Sequence, residues 1–377
     1  MPSKRSHRAS VRPRACHRPL YAVDLFCGAG GMTEGLRRAG VRVVAGVDVD
    51  HSVRATYEAN HGRAGRFVEA DIRTLTAADI QAWLPSGVTA DDLVLIGCSP
   101  CQFWSKLPTN RKASKRGSRL ALEFVRLVRL VRPRFVVMEN VPGIATRGRR
   151  RVLGTFLKQL RQCGYSFSDG VVQSTGYGVP QVRRRYLLVA SRADLAPGLP
   201  PANKGPAPCV RDFIGHRHGF CTLAAGEVDP LDPWHRAACL SSENLARIKR
   251  TPRDGGDRRA WRDTSLQIPT YRGRNNCFSN VYGRMWWNRP AATLTTRFNS
   301  LSNGRFGHPN ENRAISVREG ASLQTFPRTY FFAGTAQSVC RQVGNAVPPA
   351  LAEAIGRHLL ALHRSRHEEP LAKPGRS

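Results

Sequence analysis

The amino-acid sequence predicts an α/β protein, a doubly wound sheet joined to a second, smaller domain. Three observations predict it. From Tyr21 to about Ala190, short apolar runs alternate with amphipathic stretches, the rhythm of a sheet covered on both faces by helices. After about Ala193 the chain turns to proline, glycine and charge without clear periodicity, as in PGLPPANKGPAPC and TPRDGGDRRAW. The length of 377 residues, 41% of them hydrophobic, exceeds one average domain and supplies a sizeable core.

The elements follow in order. YAVDLF (21–26) is a buried-strand run, and MTEGLRRAG (32–40) is an amphipathic helix closed by Gly40. VRVVAGVD (41–48) is the second strand, followed by a helix through HSVRATYEANH. GRFVEAD (65–71) and LVLIGCS (93–99) are the third and fourth strands. RLALEFVRLVRLV (119–131) carries apolar residues at helical spacing before the fifth strand, RFVVMENV (134–141). A helix over RRVLGTFLKQLRQCGY precedes strands near 165–175 and at RRRYLLVA (183–190). Segment 193–290 reads as the smaller module. Order returns at AATLTTRF (291–298) and REGASLQTFP (318–327), and VPPALAEAIGRHLLALH (347–363) is a helix with proline in its first turn. The basic stretch 1–20 and the tail 364–377 are expected to be disordered.

No run of eighteen apolar residues occurs, which argues against a transmembrane helix and a membrane partner. The opening MPSKRSHRASVRPRACHRPL lacks the apolar stretch of a signal peptide, so a cytoplasmic location is expected. The formal charge is +32, from 59 Lys and Arg against 27 Asp and Glu, which makes a polyanion the expected partner. Eight of the 59 are lysine; a GC-rich genome would explain that ratio, but not the scarcity of acid.

Of the ten cysteines, Cys98 and Cys101 alone have metal-type spacing, and no second pair or spaced histidines complete a site, so no metal is expected. Cys101 sits in a proline-stiffened turn, GCSPCQFWS, at the end of an apolar strand. It reads either as a buried thiol or as a nucleophile held out on a turn.

The first strand runs into DLFCGAGGMTEGL, a glycine-rich turn entering a helix and suited to close backbone approach to a ligand. A dinucleotide fingerprint fails at Thr33, which stands where the last glycine of Gly-x-Gly-x-x-Gly is required, and no phosphate loop is present. Asp48 and Asp71, at the next strand ends, are placed to accept hydrogen bonds from a ribose or an adenine amine. A nucleoside-bearing cofactor without a pyrophosphate, such as S-adenosylmethionine, fits this pattern.

Six blocks in order resemble the C5-cytosine DNA methyltransferase family: DLFCGAGG, GCSPCQ, MENV (138–141), QVRRR (181–185), REGASLQTFP and QVGNAVPP (342–349). The resemblance implies a mixed sheet of the S-adenosylmethionine-dependent methyltransferase (Rossmann-like) type. Its catalytic and cofactor domain would span 21–192, a target-recognition domain 193–290, and the remainder of the small domain with a returning helix 291–363. It implies that Cys101 adds to C6 of a cytosine flipped from duplex DNA, since C5 is too poor a nucleophile to take a methyl group unaided. Glu139 would act at N3 in its protonated form, Arg185 would hold O2, and Arg183 would brace Glu139 or the base. Alternation along a strand puts Arg183 and Arg185 on one face.

Carried over residue by residue, the resemblance gives Phe26 and Val49 the adenine faces, and Gly28, Ala29, Gly30 and Gly31 the methionine end. Asp48 takes the ribose, Asp71 and Ile72 take the adenine edge, and Pro100, Leu120 and Asn345 complete the shell. Gln102 and Ser105, on the loop with Phe103 and Trp104, would close over the base. Arg297 would contact phosphate within 295–309, and the 193–290 module with Asn275 and Asn276 would read sequence. The family further implies a bacterial, monomeric modification enzyme with a restriction endonuclease as genetic partner. A tRNA-modifying branch and a catalytically silent DNA-binding relative are the alternatives. The large variable module argues against the first, and intact Cys101, Glu139 and Arg185 argue against the second.

Overall fold

Alternate residues of the first strand enter two different cores. β1 (Tyr21–Leu25) sends Tyr21, Val23 and Leu25 into one apolar cluster and Ala22 into another. A strand buried on both faces requires helices on both. The computed structural model describes residues 18–99, 111–146, 150–192, 196–261, 264–269 and 280–368.

Around β1 lie β2 (Arg42–Asp48), β3 (Arg66–Glu69), β4 (Leu93–Gly97), β5 (Phe135–Asn140), β6 (Ser166–Gln173) and β8 (Arg184–Ser191), in the sheet order β3-β2-β1-β4-β5-β8-β6. The first five are parallel, and β8 runs antiparallel to β5 and β6, so the sheet is mixed. One face is covered by α3 (Ala77–Trp83), α4 (Arg111–Val131) and α5 (Arg150–Gln162), through Ile80, Phe124 and Phe156. The other is covered by α1 (Gly31–Ala39) and α9 (Pro349–Glu368), through Leu36, Leu351 and Ile355. These two helices touch closely: a Cβ on Gly35 would lie 2.2 Å from the Pro349 carbonyl oxygen. α2 (Arg54–His61) follows β2 and packs beside β3.

A separate core joins Val210, Phe220, Met285, Phe298, Phe326 and Phe332. It is built from the β9–β10 hairpin (Val228–Asp229 and Asp232–Arg236), α7 (Val317–Leu323), α8 (Ala336–Asn345) and long irregular segments, while α6 (Ser242–Arg250) sends Ile248 into a further cluster with Trp261 and Leu301. It joins the sheet region where β7 (Gln181–Val182) pairs in parallel with β11 (Ala291–Ala292). Gln181 fastens this junction, donating to Gln324 Oε1 at 2.8 Å and accepting from the Leu294 amide at 2.9 Å.

Four details differ from the sequence expectations. Leu20, assigned to the N-terminal tail, is fully buried, because its carbonyl accepts from the Arg42 amide and continues the β1–β2 edge. α9 continues to Glu368, five residues past His363, whose Nε2 is bonded to the Arg18 carbonyl. α3, α6 and α8 form where the pattern gave no helix, and side-chain N-caps from Thr76, Ser241 and Thr335 start them. The strand read as 183–190 breaks at Arg183, with β7 before it and β8 after. No helix among the described residues is long and apolar enough to cross a membrane.

Candidate active site

A cavity of about 1020 Å³ opens at the carboxyl ends of β1, β2, β4 and β5, the crevice where parallel sheets of this topology bind ligands. Its floor carries chemistry at two ends.

At one end Phe26, directly after β1, takes a φ of 62°, a left-handed conformation that a bulky residue adopts only under constraint. Asp48 ends β2 with its carboxylate held in place: Oδ2 accepts from the Gly28 amide at 2.8 Å and Oδ1 from the Asp50 amide at 2.9 Å. Burial raises its pKa against the lowering effect of those amides. A carboxylate offers about four acceptor sites, so capacity remains on both oxygens for ligand hydroxyls. Asp71 and Ile72 line the next edge, Asp71 being gripped by the Arg73 guanidinium. Val49, 67% exposed, stands at the mouth, while Leu120 and Asn345 approach from α4 and the end of α8. Gly28 and Ala29 also line the cavity. Gly30 and Gly31 do not: the space a side chain would need is filled at Gly30 by His61 and Tyr330, and at Gly31 by the Val347 carbonyl.

At the other end Glu139, the penultimate residue of β5, meets Arg185 of β8, with Oε1 2.8 Å from Nε and both residues more than nine-tenths buried. The pair is an ionic contact without a well-aligned hydrogen bond at Oε1. Arg185 also donates from Nη1 to the Arg184 carbonyl. Arg183 turns elsewhere because the strand breaks at its position. Its guanidinium donates to the carbonyls of Leu294, Gly344 and Ala346, and so braces the two residues flanking Asn345. Pro100, Cys101, Gln102, Phe103, Trp104 and Ser105 lie outside the described residues, as do Asn275 and Asn276. The described chain stops at Ser99, which Asn140 anchors by donating from Nδ2 to its carbonyl at 3.2 Å and its hydroxyl at 3.0 Å. Cys98 lines the cavity, and burial, then Glu139 and Asp24, hold its thiol well above the usual range.

Beneath the glycine turn lies a network that sequence reasoning missed. Asp24, wholly buried on β1, accepts from the Thr33 hydroxyl at 2.7 Å, and that hydroxyl is 3.2 Å from Tyr57 Oη. Its other oxygen has no hydrogen-bond partner, and burial pushes its pKa up to about 7. Thr33, which breaks the dinucleotide fingerprint, thus partners a buried acid. Arg297 is exposed in the second module and lies away from the cavity lining. Cys221, Asp229 and His235 gather metal-type side chains, but both nitrogens of His235 are engaged, by Ser316 Oγ and the Cys221 carbonyl.

The family model described as C-5 cytosine-specific DNA methylase matches residues 20–361. A Type II methylase, M.HgiDII of Herpetosiphon aurantiacus, is 38% identical over 92% of this chain and 96% of its own length. The Type II methyltransferase M1.HphI of Haemophilus parahaemolyticus is 31% identical over 91% and 87%. Among solved structures, a prophage-encoded DNA modification methyltransferase of E. coli aligns with a TM-score of 0.71 at 22% identity, covering 91% of this chain and 99% of its own. The S. pombe Dnmt2 methyltransferase aligns at 0.60 and 18%, covering 92% and 99%. These likenesses give the fold alone, the Rossmann-like sheet of the methyltransferases with a second, smaller subdomain. With the cavity at the strand ends and the family model spanning nearly the whole chain, the protein belongs to the C5-cytosine-specific DNA methylase family and is an enzyme of that class.

Proposed function

We propose that the chain methylates C5 of a cytosine rotated out of double-stranded DNA, through a covalent adduct between Cys101 and C6. The observation that carries this reading is one cavity shared by two kinds of group. Phe26, Asp48 and Asn345 suit a nucleoside, and the Glu139–Arg185 pair suits a pyrimidine edge. Bound S-adenosylmethionine would supply the electrophilic methyl group. Asp48 would accept the ribose hydroxyls, Phe26 would pack on the adenine, and Asp71 would take its amine. The donor set fits that molecule: a half-buried carboxylate with acceptor capacity to spare, an aromatic face and no phosphate-binding loop.

The chain's residues act on the base. The thiolate of Cys101 adds to C6, and the electron pair displaced from the C5–C6 bond spreads towards N3 and O2. Glu139 donates to N3, and the remaining Arg185 donors meet O2. C5 takes the methyl group as N3 returns its proton to Glu139; C5 then gives its own proton to water, and that electron pair re-forms the C5–C6 double bond as the C6–S bond breaks and releases the thiolate. A free thiol titrates near ~8.5, and the basic run KLPTNRKASKRGSR after the turn favours its anion. Relatives named as Type II methylases support a role as the modification half of a restriction system, with duplex DNA as substrate.

The test is trapping. Given S-adenosylmethionine and DNA in which 5-fluorocytosine replaces cytosine, the protein is expected to form a denaturant-stable complex that Cys101→Ser abolishes. No complex from the wild-type chain, or methyl transfer to tRNA but not DNA, overturns the reading. Bisulfite sequencing of plasmid from an expressing host reports product and site together.

A further inference from the structure

The glycine turn is held from behind by groups that never enter the cavity. The Ala29 carbonyl accepts from the Tyr330 hydroxyl at 2.5 Å, Tyr330 Oη lies 2.8 Å from His61 Nε2, and His61 Nδ1 lies 2.9 Å from Arg37 Nη1. Both ends of this chain of bonds fix its direction, because a guanidinium can only donate and a carbonyl can only accept. Arg37 therefore donates to Nδ1, His61 carries its proton on Nε2 and donates to Tyr330, and the hydroxyl donates to Ala29. Burial, then Arg37, lowers the His61 pKa to about 4, so the neutral imidazole this relay needs is the form present at neutral pH. Ala29, His61 and Tyr330 are each at most 2% exposed. A Cβ on Gly30 would lie 2.6 Å from His61 Nε2 and 2.8 Å from Tyr330 Oη, so the clasp occupies the room that glycine leaves.

Tyr330 is seated in the other core. Its ring packs on Phe326 and Phe332, and its carbonyl accepts from Arg318 Nη1 at 2.8 Å. Arg318 Nε in turn pairs with Asp232 of β10 at 2.8 Å. Asn60 brackets the next residue with two bonds, donating to the Phe331 carbonyl and accepting from its amide. A contiguous set of hydrogen bonds thus runs from the second module to the turn that lines the cavity.

We propose that Tyr330, oriented by His61 and Arg37, is a positioning residue for the cofactor turn, and that the seating of the second module tunes cofactor affinity through it. The inference rests on the reading that the cavity binds S-adenosylmethionine. Hydrogen bonds of this kind differ from packing in that a group of the same polarity can replace one. Glutamine at position 61 can accept from Arg37 and donate to Tyr330; leucine can do neither.

The experiment measures S-adenosylmethionine Kd by calorimetry for wild type, Tyr330→Phe, His61→Gln and His61→Leu, with and without unmethylated plasmid DNA. It adds kcat at saturating cofactor and thermal melting. Tyr330→Phe and His61→Leu are expected to weaken cofactor binding about tenfold with kcat within about twofold, and the double variant to lose little more than either, because the groups act as one unit. His61→Gln is expected to recover most of the affinity. DNA is expected to tighten cofactor binding in wild type, and to do so less in Tyr330→Phe. Should Tyr330→Phe not fold, the glutamine and leucine variants decide the matter. Wild-type affinity in Tyr330→Phe, or equal losses in His61→Gln and His61→Leu, overturns the positioning role. A wild-type Kd indifferent to DNA overturns the coupling. A wild-type chain that binds no S-adenosylmethionine instead overturns the assignment of the cavity.

Discussion

Asp24 in the parallel sheet and Glu319 in the second core are both wholly buried, yet their surroundings drive their ionisation in opposite directions. Asp24 has a threonine hydroxyl on one oxygen and no hydrogen-bond partner on the other, and burial lifts its pKa to about 7. Glu319 suffers the same burial, but Arg313 grips both its oxygens at 2.7 and 2.9 Å and holds it well below the usual carboxylate range. The Ser316 amide adds a capping bond at 2.6 Å. Burial sets the cost of a charge, and the partner decides whether the charge survives. The second module uses its acid as a structural fixture; the sheet keeps a poised acid under the turn that lines the cavity.

The largest effect should come from breaking the satisfied pair. Arg313→Leu leaves Glu319 buried without a counter-charge and frees Glu311, which also pairs with Arg313. A loss of about 3–5 kcal/mol is expected, read by urea unfolding with tryptophan fluorescence. Glu319 also predicts a pH response. Because its folded pKa is depressed, the stability it contributes is complete above its unfolded pKa of about 4.3 and is lost as pH falls below that value. A wild-type unfolding midpoint that stays flat from pH 6 to pH 3 would count against the pair.

Asp24→Asn should act with the opposite sign. A folded pKa near 7 means that the folded chain retains a proton the unfolded chain has released. Asp24 therefore lowers stability progressively as pH rises from about 4 to about 7, with no further change above. Asparagine removes that penalty, of order 4 kcal/mol, and introduces an unpartnered amide costing about 1–3 kcal/mol. A net gain of about 2 kcal/mol at pH 8 is expected, vanishing near pH 5. Equal effects at both pH values would show that the acid is not poised.

The contrast also marks what the sequence made legible. The strands could be read because both faces of β1, β4 and β5 are buried, so each is a short unbroken apolar run. The cavity residues could be read because each belongs to a local block: Asp48 and Asp71 at strand ends, Asn345 in QVGNAVPP. What could not be read depends on distant partners. Arg183 and Arg185 look like one face of a strand, but β11 pairs with β7 and the break that follows sends Arg183 to carbonyls more than a hundred residues away. Tyr330 meets Ala29 across 301 positions, and no local pattern announces it. α3 was missed because it buries only Ile80 and so lacks an apolar stripe.

The smallest effect should come from the same charges placed in water. Arg73 and Asp71 form a close pair at the cavity edge, with side chains 54% and 26% exposed. Solvent screens such a pair and ordering its side chains costs entropy, so Arg73→Ala should leave stability essentially unchanged. Binding should respond differently. Arg73 donates to both Asp71 oxygens, and an adenine amine reaching that carboxylate would share it with the guanidinium. Arg73→Ala is therefore expected to leave the melting temperature unchanged at low and high salt while shifting S-adenosylmethionine Kd. A loss of stability comparable to that of Arg313→Leu would mean that burial is not what separates these ion pairs.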